Sequence, residues 1–283
     1  MYNKSIVLCL VVFLMQPALG QKQDVQVFFK QGVHFAQLID YKKAVASFDK
    51  VLSIDPNHTA AQTYKGCSLI FLRNFDEAIR CFDKSIQLDP NFIPAWHAKG
   101  EALGILKRST EAKQCYDRAI STKPKDALGY LGRAYAHFSA NQDYDKAIID
   151  CDKAIELDPN FAEAFSFRGT SYRQKRDYEL AIKNLTKAIE LNSQYVEAYT
   201  NRGNAYRYKG DIEQAIADHT KAIKLNPEFG TAYFNRGRAY YQKADYKAAR
   251  LDWEKTVELE PFQDSLIRQA AQNNLQALKN MGY

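Results

Sequence analysis

The sequence predicts an all-α solenoid of stacked helix–turn–helix units, on three observations. First, a glycine returns about every 34 residues, at Gly32, Gly66, Gly100, Gly132, Gly169, Gly203 and Gly237. A proline follows each by 24 residues at Pro56, Pro90, Pro124, Pro227 and Pro261; the fourth unit has Pro159 and the fifth has Ser193 instead. Second, apolar residues between these marks recur at helical spacing. Third, a small residue is followed four positions later by a bulky one: Ala44 and Phe48, Ala78 and Phe82, Ala112 and Tyr116, Ala249 and Trp253. A fixed period of this length marks stacked supersecondary units, whose usual work is to hold another molecule.

The first twenty residues differ in kind from the rest. Met1 to Lys4 form a short, weakly positive start, and the chain is then almost wholly apolar from Ile6 to Met15. Pro17 breaks the run, and Ala18-Leu19-Gly20 places small residues at −3 and −1 before Gln21. That is the layout of a secretory signal peptide covering 1–20, and the run is too short to span a bilayer. The expected destination is therefore periplasmic or secreted. An uncleaved N-terminal anchor is the alternative.

Seven units follow within 21–263: 25–58, 59–92, 93–126, 127–161, 162–195, 196–229 and 230–263. The sixth shows the logic. Tyr199, Gly203 and Tyr206 share one helical face. Gly210-Asp211 supplies a left-handed stop and a cap for the next helix. Ile212, Ala215, Ile216, His219, Ala222 and Ile223 form the second stripe, and Pro227 ends it because the residue before a proline leaves the helical region. Glycine inside the first helix costs about 1 kcal/mol against alanine, so a close approach of the second helix is expected to compensate. The fourth unit is irregular. With Gly132 as its repeat glycine, the connection into it is two residues short, and three extra residues fall before Pro159. Residues 264–283 form a C-terminal capping helix and tail, its apolar face made by Leu266, Ile267, Ala270, Ala271, Leu275 and Leu278.

Composition narrows the function classes. The chain has 283 residues, 46% of them hydrophobic and 25% charged, with a formal charge of +6. Disorder would need fewer apolar residues. Length alone would allow two domains, but the unbroken period argues for one continuous rod. Basic residues alternate with acidic ones, as in Lys146, Asp150, Lys153 and Glu156, so no basic stripe for a nucleic acid emerges. Cys67, Cys81, Cys115 and Cys151 are expected to be free thiols, since equivalent positions of adjacent repeats lie about 10 Å apart and a disulfide needs about 7 Å. His34, His58, His97, His137 and His219 are scattered, without metal-ligand spacing. No nucleophile elbow or phosphate loop is present, so no enzyme, metal or cofactor is expected.

The repeat resembles the tetratricopeptide repeat: aromatic, glycine, aromatic in the first helix, alanine and an aromatic four later in the second, proline at the end. One departure recurs. Where a leucine usually precedes the glycine, this chain has Lys65, Lys99, Arg168, Arg202 and Arg236. The resemblance implies a right-handed superhelical solenoid whose first helices line a concave groove for an extended peptide or helix. Counting the glycine as position eight, positions two, five, six, nine, twelve and thirteen are then expected to face that groove. They give an apolar part with Phe29, Tyr64 and Phe71. They also give a polar, cationic part with Arg133, Arg173, Asn201, Asn204, Arg207, Asn235 and Arg238. Asn201 and Asn235 recur at one position, a ladder able to hold a peptide backbone, and the arginines suit acidic partners. The known clamp for a C-terminal carboxylate is absent at four of its five positions. The expected function is an exported protein-interaction scaffold. The alternative is a structural, self-associating component, favoured by the apolar start Val25, Val27, Phe28 and Phe29.

Overall fold

A computed structural model describes residues 21–259 and 266–283. The expected signal peptide, Pro261 and the start of the capping segment at Asp264 lie outside the described residues. Those residues hold fifteen helices and no strand: α1 (Gln21–Gln37), α2 (Tyr41–Ile54), α3 (Thr59–Phe71), α4 (Phe75–Leu88), α5 (Ile93–Ile105), α6 (Ser109–Thr122), α7 (Ala127–Asn141), α8 (Tyr144–Leu157), α9 (Ala162–Gln174), α10 (Tyr178–Leu191), α11 (Val196–Lys209), α12 (Ile212–Leu225), α13 (Gly230–Gln242), α14 (Tyr246–Leu259) and α15 (Leu266–Asn280). Consecutive odd and even helices pair as seven hairpins. The contacts divide the chain into two units, one ending at Leu157 and one beginning at Asp158.

Within each unit the glycine and the bulky residue interlock as expected. A Cβ on Gly66 would lie 2.5 Å from the Phe82 ring, and one on Gly203 would lie 2.8 Å from His219. Phe48, Phe82, Leu185, His219 and Trp253 are accordingly among the most buried side chains. His219, the one histidine in this role, has both ring nitrogens buried without a hydrogen-bond partner. Burial, with Arg207 and Arg236 adding to it, lowers His219 to about 3, so it packs as a neutral ring.

Two kinds of turn alternate. Between the helices of each hairpin one residue adopts a left-handed conformation: Ile39, Arg73, Lys107, Gln142, Arg176, Gly210 and Ala244. Only one of the seven is glycine, although such a φ is strained for a side chain. Between hairpins, Asp55, Asp89, Asp158, Asn192 and Asn226 each accept a hydrogen bond from the backbone N–H two residues on. This side-chain turn bends the chain at Asn192 as well, which is why Ser193 can stand where the others have proline.

The left-handed residues correct the reading of the fourth repeat. They recur every 34 residues except between Lys107 and Gln142, where the step is 35. Helix α7 begins seven residues before Ala134, as α3 begins seven before Gly66. Ala134, fully buried, therefore holds the glycine position, and a single residue is inserted before the turn. Alanine is tolerated because the facing bulky position carries only Cys151, also fully buried. Gly132 is small for another reason: a Cβ there would lie 2.2 Å from Tyr116 of the third hairpin.

The cations before the repeat glycine form a polar ladder. Lys65 pairs with Asp49 at 2.8 Å and Glu77 at 3.1 Å, and Lys99 with Asp83 at 2.6 Å. Arg168 donates to Asn184. Arg202 grips Asp218 and reaches Thr186, and Arg236 grips Asp252 and reaches Thr220. Each rung ties a first helix to its own second helix or to that of the preceding hairpin. Leucine would give packing here; this chain uses charge-assisted hydrogen bonds instead.

At the start of the chain Val25 is buried and Phe28 and Phe29 pack into the first hairpin's core with Phe48, leaving only Val27 of that group exposed. The apolar start is thus largely consumed within the hairpin. Helix α15 covers α14 through Ala271, Leu275 and Leu278, but Leu266 is 81% exposed and does not belong to the buried face. The four described cysteines are buried and form no disulfide with one another, and burial pushes Cys81 and Cys115 up to about 11. Among the described residues no helix is long and apolar enough to cross a membrane.

Candidate functional site

The first helices of the second unit stand side by side: α9 touches α11, α11 touches α13, and α13 touches α15. Together they present a wall, and most of the expected polar residues lie on it. Asn201 is half-buried with no side-chain bond to its own helix. Asn204 is half-buried, with its Oδ1 withdrawn from water and unpartnered. Asn235 does not continue the ladder. It is buried, and its Nδ2 donates to the Thr231 carbonyl of its own helix at 3.0 Å. The two amides share a repeat position without sharing a role, because Asn235 is spent on its helix backbone.

Three arginines gather on this wall around Tyr208. The Arg207 guanidinium lies 4.2 Å from the Tyr208 ring centroid and that of Arg173 lies 6.0 Å away. Arg238 sits over Phe234 at 5.8 Å and acts on both Arg207 and Tyr208. Burial lowers Arg207 from the usual guanidinium range, and the like charges of Arg238 and Arg173 add to it. Desolvation raises Tyr208, yet the arginines outweigh it and leave the phenol below its ordinary value. Arg207, Arg238, Tyr241, Gln242, Trp253, Asn274 and Ala277 line a cleft of about 400 Å³ between α11, α13, α14 and α15. A wall that concentrates cations beside amides and phenols is chemically suited to acidic groups and peptide backbone.

Arg133 is not part of this arrangement. With Ala134 at the glycine position, Arg133 falls on the ladder: it donates to Asp150 at 2.6 and 2.9 Å and to Asp117 at 2.9 Å. Its charge is neutralised inside the first unit.

The expected apolar residues are half-buried and serve hairpin packing. Phe29 stacks on His58 at 5.2 Å and meets Tyr64 edge-on at 5.3 Å. Phe71 stacks on Tyr41 at 4.3 Å, pinning the end of α3 to the start of α2. A polar group in this unit escaped the sequence reading. His97 Nε2 lies 2.6 Å from Asp126 Oδ2, both buried. Nearby on α5, burial pushes Glu101 up to about 7, with His97 drawing it back. His97 and Glu101 occupy positions five and nine of their repeat, so the rule that selected Arg238 would also have selected them. Among the described residues no group of histidine, cysteine and carboxylate is arranged to hold a metal.

Family models match along the chain. Models described as "TPR repeat" match 169–207 and 203–244, and models described as "Tetratricopeptide repeat" match 26–58, 60–92, 97–160 and 230–263. The chain belongs to the tetratricopeptide repeat family.

Solved tetratricopeptide structures agree in fold. A tetratricopeptide repeat protein from Parabacteroides merdae superposes with a TM-score of 0.72 at 17% identity, covering 89% of this chain and 99% of that one. A chain of the APC/C hetero-tetramer Cut9–Hcn1 gives 0.70 at 18% identity over 90% of this chain, which spans only 52% of its length. A thermophilic TPR protein of Thermus thermophilus gives 0.59 at 18% identity, covering 65% of this chain and 99% of that one. At these identities the likeness is one of fold. No match was found among curated proteins. The fold is that of a protein-interaction scaffold, and tetratricopeptide proteins are generally non-catalytic.

Proposed function

We propose that this tetratricopeptide protein is an exported scaffold that binds a protein or extended peptide, rich in acidic residues, along the first-helix wall of its second unit. The observation that carries the reading is the contrast between two sets of arginines. Arg202 and Arg236 are each neutralised by an aspartate between helices. Arg207 and Arg238, on the wall, form no ion pair among the described residues, and Arg207 is only 8% exposed. A buried cation facing other cations is costly unless a partner compensates it. Export rests on residues 1–20, whose apolar run and Ala18-Leu19-Gly20 site fit cleavage before Gln21.

The test is affinity isolation of the tagged protein from cells that export it, followed by a salt series. Mass analysis should give a chain starting at Gln21. A partner should be retained at low salt and released as salt rises. Asn201→Ala with Arg238→Ala should lose that partner while keeping the helical signal and melting temperature. An intact N-terminus in the membrane fraction would contradict export. Equal retention by the double variant would contradict the wall.

A further inference from the structure

We propose that the cleft lined by Arg207, Arg238, Tyr241, Gln242 and Asn274 is a carboxylate-binding site, occupied by an acidic group of the bound segment; this deepens the reading above and rests on it. The chain supplies its own template for the chemistry. Arg202 presents Nε and Nη2 side by side to Asp218, at 2.8 Å each, and Arg236 presents the same edge to Asp252 at 2.8 and 2.7 Å. Arg133 grips Asp150 in the same way. In Arg207 that same pair of atoms, Nε and Nη2, is buried and no protein group accepts from it. A forked edge of this kind matches a carboxylate's two oxygens and little else among peptide groups.

The surroundings fit that occupant. The cleft measures about 400 Å³, which admits a side-chain or terminal carboxylate with the residue that carries it. Arg238 brings a second positive charge to the same cleft; Arg238 and Arg173 disfavour the Arg207 charge, and the Tyr208 phenol, the one group that favours it, carries no carboxylate. Tyr241, Gln242 and Asn274 add neutral donors at the rim. The exposed Tyr208 ring lies against the Arg207 guanidinium, so occupancy of the forked edge requires that ring to turn aside. Arg133, Arg202 and Arg236 each close the same two atoms on an aspartate of the protein, and Arg207 does not.

The experiment is isothermal titration of the mature protein with three capped or uncapped hexapeptides. They are hexaglutamate blocked at both ends, hexaglutamine blocked at both ends, and hexaglutamine with a free C-terminus. Saturable binding of blocked hexaglutamate, lost at least tenfold in Arg207→Gln and in Arg238→Gln, is the expected result. Binding of the free-ended hexaglutamine with the same dependence would assign the carboxylate to a chain terminus and equally support the site. Arg250→Gln, at an exposed arginine paired with Glu254, should stay within twofold of wild type. Arg207→Gln should melt at or above the wild-type temperature, since it removes a buried charge without a partner. No saturable binding of either carboxylate peptide, equal binding of blocked hexaglutamine, or a lowered melting temperature in Arg207→Gln would each overturn the site. If Arg207→Gln keeps the isolated partner while Asn201→Ala with Arg238→Ala loses it, the wall stands and only the carboxylate site falls.

Discussion

Arg202 holds Asp218 through two parallel hydrogen bonds of 2.8 Å, Nε to Oδ2 and Nη2 to Oδ1, joining the two helices of the sixth hairpin. Asp218 is nearly buried and Arg202 largely so. Removing one partner leaves the other charged and poorly hydrated, which costs about 3–5 kcal/mol in a buried pair. Asp218→Leu alone should therefore destabilise strongly in urea unfolding. Asp218→Leu with Arg202→Leu should recover most of the loss, because leucine is the family's usual residue before the glycine. A double variant as unstable as the single one would show that the ladder is not replaceable by packing.

His219 should make the protein acid-sensitive. Its folded value is near 3, against about 6.5 for an unperturbed histidine. Between those values the unfolded chain takes up a proton that the folded chain refuses. Stability from this residue is present above pH 6.5 and is lost as pH falls, by up to about 1.4 kcal/mol per pH unit. His219→Phe restores the aromatic seen at Phe48 and Phe82. The stability gap between variant and wild type should widen by about 2 kcal/mol between pH 7 and pH 5. A gap independent of pH would mean that His219 takes up its proton in the fold as readily as in the unfolded chain.

The left-handed turns give a second stability prediction. Ile39 has φ 63° and is 73% exposed, so its branched side chain is strained there with little burial in return. Ile39→Gly should stabilise by about 1 kcal/mol. Gly210→Ala, at φ 101°, should destabilise by a similar amount. Thermal melts of both variants decide it, and a loss of stability in Ile39→Gly would contradict the assigned turn.

The register of the fourth hairpin can be tested by a double-mutant cycle on Ala134 and Cys151. Cys151→Phe alone should overpack against the alanine and cost about 1–3 kcal/mol. With Ala134→Gly added, the pair becomes the glycine–phenylalanine pair of Gly66 and Phe82, and most of the cost should be recovered. Gly132→Ala should be harmful for a separate reason, its clash with Tyr116. Additive effects of Ala134→Gly and Cys151→Phe would contradict the register.

The hairpins were legible because their signal is local: spacing of apolar residues, a glycine facing a bulky residue, a proline or an Asx turn at the end. Arg133 shows where this failed. Counting from Gly132 put it one position after the glycine, on the expected groove, while the backbone places it one before Ala134, on the ladder. Asn235 failed differently. Its position was read correctly, but whether an amide faces a ligand or its own helix depends on side-chain rotamer, which periodicity does not encode. The same holds for Arg207 and Arg202, alike in sequence and opposite in what accepts from them. Leu266 was placed on the capping face by spacing alone, and at the first residue of α15 it is 81% exposed.

The most direct test of the account is position-specific photocrosslinking in cells that make the protein. A photoreactive phenylalanine would replace Asn201, on the first-helix wall, and separately Leu251, which is 59% exposed on α14. Crosslinks to one partner segment, rich in acidic residues, are expected from position 201 and none from position 251. Crosslinks to the same partner from 251 and not from 201 would contradict the claim that the first-helix wall is the binding surface.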